Sequence, residues 1–132
     1  MTERSPAEEP EPGAPDSTYD LYRRGMSLLE RGDYDAATVP LGKAAAREPE
    51  KSSVREALGR AYFRARRYRE AAGEFEAVVE RYPVNDFAHF CLGRALALSG
   101  RSDRARRHLA IAANLRPDRR DYRIYRERLA GH

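Results

Sequence analysis

The chain has 132 residues, 41% of them hydrophobic and none tryptophan, with 25 Lys and Arg against 21 Asp and Glu for a net charge of +4. That length suits one domain with a modest core. Cys91 is the only cysteine, which excludes an internal disulfide and a thiolate zinc set. With no apolar run near membrane length and no apolar signal core at the N-terminus, the expectation is a cytoplasmic protein without a membrane partner.

Residues 1–17, MTERSPAEEPEPGAPDS, hold four prolines and nothing apolar larger than alanine except Met1. Such a segment buries too little surface to offset its ordering entropy, so a disordered tail is expected. Glu3, Glu8, Glu9, Glu11 and Asp16 against Arg4 make it −4 and leave +8 on residues 18–132. Opposite charge predicts weak competition of the tail with an acidic partner of the body.

From residue 18 the chain repeats at a spacing of 34. Gly25, Gly59 and Gly93 align, as do Ala37, Ala71 and Ala105. So do Leu41, Phe75 and Leu109, while Pro49, Pro83 and Pro117 close the units 18–51, 52–85 and 86–117. Within each unit apolar residues recur at intervals of 3 and 4, as in Leu58, Ala61, Tyr62 and Ala65. The reading is three helical hairpins: 19–31 with 34–47, 53–65 with 68–81, and 87–99 with 102–115. Pro40 falls inside the second of these helices, which predicts a late start or a bend there. Glycine and alanine columns predict close helix crossings. Arg66 and Arg67 occupy a turn. Residues 118–129 form a final helix whose Tyr122, Tyr125 and Leu129 make a narrow apolar stripe, read as a cap on the third hairpin rather than a dimer contact.

The period and the glycine, alanine and proline columns resemble the tetratricopeptide repeat family from Tyr19 to about Pro117. The segment LGRAYFRARRYREAAGEFEAVVERYP carries Leu58, Gly59, Tyr62, Tyr68, Ala71, Phe75 and Pro83 at that family's spacing. The first unit departs with Arg24 where Leu58 and Leu92 stand, and the third with Ser102 where Tyr34 and Tyr68 stand. Terminal repeats are commonly atypical. The resemblance implies an all-α, right-handed superhelix of three hairpins and a capping helix, with the first helix of each hairpin lining a concave face.

On that implied face lie Tyr19, Tyr22, Met26 and Leu29, then Ser53, Glu56, Arg60 and Phe63, then Phe87, Phe90, Arg94 and Ala97. Arg60 and Arg94 should form a basic rung in an aromatic trough, suited to an acidic peptide. One branch of the family holds a peptide's C-terminal carboxylate with lysines, asparagines and an arginine. Tyr22, Met26, Ala57, Phe87 and Cys91 occupy the matching places here and cannot supply that charge. The expected function is a protein-interaction module or adaptor, monomeric or weakly homodimeric, whose partner is a protein or peptide. The alternative is nucleic-acid binding through RARRYR, RSDRARRH and RPDRRDYRIYRER, although acids interleave with these arginines. His89, His108 and His132 share no metal-like spacing, and Ser, His and acid residues form no recognisable triad. No enzymatic activity and no cofactor are expected.

Overall fold

The computed structural model describes residues 17–130, which are α-helices and short turns. Apart from Ser17, the tail expected over 1–17 lies outside the described residues. In chain order the helices are α1 (Thr18–Glu30), α2 (Tyr34–Arg47), α3 (Ser52–Arg64), α4 (Tyr68–Arg81), α5 (Asp86–Leu98), α6 (Ser102–Leu115) and α7 (Arg120–Ala130). Each packs chiefly on its neighbours in sequence. Three hairpins therefore stack in line, and α7 closes the last against α6.

Local chemistry sets the helix ends. Ser17 belongs to the folded part: its side chain accepts from the Asp20 amide at 3.1 Å and caps α1. Asn85 caps α5 the same way through the Ala88 amide at 3.0 Å. Inside every hairpin the first helix ends in a paired turn of backbone bonds. In the second hairpin the Arg66 amide donates to Phe63 O at 3.0 Å and the Arg67 amide to Tyr62 O at 2.8 Å. That geometry needs a left-handed residue, and Gly32, Arg66 and Gly100 supply it with φ of 83°, 64° and 83°. Only Arg66 adopts it with a side chain to accommodate.

The glycine column has a packing cause. A Cβ on Gly59 would stand 2.7 Å from Cε2 of Phe75, and one on Gly93 would stand 2.7 Å from Cγ of Leu109. Leu41 fills the same place opposite Gly25. Each glycine thus receives the large side chain of its own hairpin's second helix, where Leu41, Phe75 and Leu109 are buried. Ala37, Ala71 and Ala105 are also fully buried. Arg24 is exposed, whereas its counterparts Leu58 and Leu92 are buried between hairpins. The first hairpin has no preceding unit among the described residues to cover that position.

The late start expected from Pro40 is not observed. α2 runs unbroken from Tyr34 with Pro40 inside it and buried. Ala36, whose carbonyl loses its usual amide partner, is exposed.

The Tyr122, Tyr125 and Leu129 stripe does cap the third hairpin. Tyr122 is fully buried with Phe90, Leu109, Ala112 and Ala113, and Tyr125 and Leu129 pack alongside. The Tyr122 hydroxyl donates to Asp86 Oδ2 at 2.6 Å, tying α7 to the start of α5.

Candidate functional site

The first helices of the hairpins line a groove of about 690 Å³. Of the residues expected there, Met26, Leu29, Arg60, Phe63, Phe87, Phe90 and Arg94 line it. Tyr19, Tyr22, Ser53, Glu56 and Ala97 do not. Tyr19 is 69% exposed at the start of α1, and Tyr22 packs against the core of the first hairpin. Glu56 is engaged elsewhere: Asn85 Nδ2 donates to its Oε1 at 2.8 Å across the α3–α5 junction.

Arg60 and Arg94 share the groove but are not equivalent. Arg60 is exposed. Arg94 is half-buried, its guanidinium carbon 4.6 Å from the ring centroid of Tyr125, 4.9 Å from Phe63 and 5.8 Å from Phe90. Ring faces attract a cation, and desolvation strengthens the contact. Phe90 also proves to be chiefly a core residue, only 6% exposed, its ring centroid 4.6 Å from that of Tyr122 at a tilt and 5.4 Å from that of Tyr125 edge-on. Phe87, at 39% exposed, is the ring that opens to the groove.

Glu30, Tyr34, Arg64 and Phe75 also line the groove without having been placed there by the sequence reading, as does Cys91, which that reading set at a clamp position unable to supply charge. Arg64 was reachable by spacing, since it follows Arg60 by one helical turn. Tyr34 opens a second helix and reaches the groove only because the hairpin closes. Arg64 donates to the Tyr34 hydroxyl at 2.7 Å and lies 4.9 Å from its ring centroid. Burial pushes the Cys91 thiol up to about 12, so it stays protonated and is no nucleophile.

Away from the groove, His89 and His108 form a buried pair between α5 and α6, their rings stacked at 5.3 Å. His89 Nε2 lies 2.8 Å from Pro83 O. A carbonyl only accepts, so Nε2 carries a proton. His108 Nδ1 lies 3.1 Å from His89 Nδ1, within hydrogen-bond distance. Burial, with His89, Arg107 and Arg104 nearby, lowers His108 to about 4. The pair joins the two helices of the hairpin. Among the described residues no three His, Cys, Asp or Glu side chains cluster as metal ligands.

Charge is unevenly placed. Residues 94–130 hold eleven arginines against four acids, a net +7 of the +8 on residues 17–130. Several of these arginines are paired, including Arg104 with Glu76 at 2.6 Å and Arg119 with Asp121 at 2.7 Å.

Stacked helical hairpins with a concave face define a helical-repeat interaction scaffold. Residues 56–120 match the tetratricopeptide repeat family. A comparison with curated proteins finds no match. Among solved structures, the first such domain of Spaghetti (RPAP3), bound to the HSP90 peptide SRMEEVD, superposes with a TM-score of 0.80 at 18% identity. That match covers 86% of this chain and 90% of that one. MamA from Desulfovibrio magneticus RS-1 gives 0.81 at 23% identity, over 86% of this chain and 64% of that one. The C-terminal repeat domain of a Plasmodium falciparum putative FK506-binding protein gives 0.78 at 21% identity, over 87% of each. These likenesses establish the fold.

Proposed function

We propose that the chain receives a peptide segment of another protein in its concave groove. The observation that carries this reading is the groove itself, about 690 Å³ and lined by rings, aliphatic side chains and three arginines. Aromatic and arginine side chains in a concavity are the residue types that dominate binding energy. The peptide-bound domain of Spaghetti supports the idea that this fold accommodates a short segment.

The test is selection of a random displayed peptide library on the full chain, followed by titration of the best binder. Phe87→Ala should weaken binding at least about tenfold, because a half-open ring loses contact area with the ligand. Its urea midpoint should move little, since Phe87 is not in the core. Phe90→Ala is a poor probe, because it strips the seat of α7. Retained binding in Phe87→Ala would overturn the reading.

The net +7 on residues 94–130 favours a second reading, an anionic polymer such as RNA or DNA at the C-terminal end. Titration with duplex DNA and structured RNA at two salt concentrations separates the two. Phosphate binding weakens steeply with salt through counterion release, and it would be indifferent to Phe87→Ala.

A further inference from the structure

We propose that Arg94 reads a side-chain carboxylate, an Asp or Glu flanked by apolar residues, within the peptide that occupies the groove; this rests on the groove reading above. Arg94 is half-buried, yet among the described residues its guanidinium meets no oxygen acceptor. Other partly buried arginines of this fold each have one. Arg55 bonds Glu74 at 3.0 Å, and Arg119 bonds Asp121 at 2.7 Å. Glu56, the acid expected beside the arginines, is held by Asn85 instead.

The neighbours of Arg94 position it without satisfying it. Phe63 and Phe90 offer ring faces and no lone pair, and Tyr125 likewise presents its ring. Guanidinium donors left without protein acceptors, on a side chain already restrained by packing, favour an incoming anion because little further freedom is lost. A carboxylate matches the planar fork with two parallel bonds.

The occupant follows from the surroundings. Phe63 and Phe90 line the groove beside Arg94, so a ligand there meets apolar surface next to the charge, while Tyr125 holds the guanidinium from α7. That suits an acid in mid-segment better than a free chain end. Residues 1–16 contain acids but no aromatic ring and no long aliphatic side chain after Met1, so the chain's own tail offers these rings only its prolines. The cap helix thus helps to position Arg94 through Tyr125 as well as covering the core.

The experiment takes the best displayed peptide and exchanges its acid for the amide, Glu→Gln or Asp→Asn, against the unaltered full chain. Affinity should fall about tenfold or more, as expected for losing charge-assisted bonds. Amidating the peptide's C-terminus should change it less than about twofold, within the tenfold-per-1.4 kcal/mol scale. Arg94→Lys should reproduce the loss, because an ammonium keeps the charge but not the fork, while Arg60→Lys should cost less. A synthetic peptide of residues 1–16 should compete weakly. If the acid-to-amide exchange is neutral while Phe87→Ala still weakens binding, Arg94 has no such role and the groove reading stands. Strong competition by residues 1–16, or a large effect of amidation, would also overturn the assignment. Failure to select any peptide would count against both readings.

Discussion

Replacing one glycine should destabilise this domain while replacing another, on the next helix, stabilises it. Glycine inside a helix costs ~1 kcal/mol relative to alanine, so helix propensity alone favours both Gly59→Ala and Gly73→Ala. At Gly73, exposed in α4, nothing lies within 4 Å of a new Cβ, and the gain should survive at ~0.5–1 kcal/mol. At Gly59 the new carbon would stand 2.7 Å from Cε2 and 2.8 Å from Cζ of Phe75. Ordinary carbon contacts lie near ~3.5–4.0 Å, so the α3–α4 crossing must open or the ring must turn. Phe75 is fully buried, so moving its ring disturbs the core packed around it. Overpacking of this kind costs ~1–3 kcal/mol, which exceeds the propensity gain. The expected net effect is a loss of ~1–2 kcal/mol for Gly59→Ala, and Gly59→Leu should cost several-fold more. Urea unfolding followed by circular dichroism at 222 nm reads both variants against wild type. With a typical m-value of ~1–3 kcal/mol/M, each should shift the midpoint by several tenths molar, in opposite directions. A Gly59→Ala midpoint at or above that of wild type would refute the packing account of the glycine column.

Two further outcomes follow from local strain and from proton linkage. Arg66→Gly places glycine in the one left-handed turn that lacks it and should raise stability by ~0.5–1 kcal/mol, seen as a melting point higher by a few degrees; no change would mean that the turn holds arginine without strain. His108 is lowered to about 4 in the fold, while an unfolded histidine titrates near ~6.5. The unfolded chain therefore binds the extra proton between those values, and stability should be full above pH 6.5 and fall as pH drops toward 4. Urea midpoints from pH 7.5 to 4.5 would show this decline, and it should be shallower in His108→Leu; identical profiles would exclude His108 as its source.

How much of this molecule could be read along the chain depends on whether the deciding interaction is periodic. The 34-residue columns reported helix positions to within about two residues, because each helix must put an apolar stripe on its neighbour and each proline must lie beyond a helix end. The apolar stripe of Tyr122, Tyr125 and Leu129 likewise announced a cap. Of the two outcomes the sequence allowed at Pro40, a late start or a bend, the late start did not occur, since the local rule against proline could not weigh the burial of its ring within the hairpin. Pairings between helices were beyond the sequence. Nothing in the chain order says that Glu56 answers Asn85, that His89 meets His108, or that Tyr125 returns to Arg94. Helical spacing assigns a residue to a face of its own helix, but it does not say which side chain from another helix meets it there. Arg60 and Arg94 occupy one column of the repeat for that reason, and only the packing of α3, α5 and α7 leaves Arg60 exposed and sets Arg94 among rings.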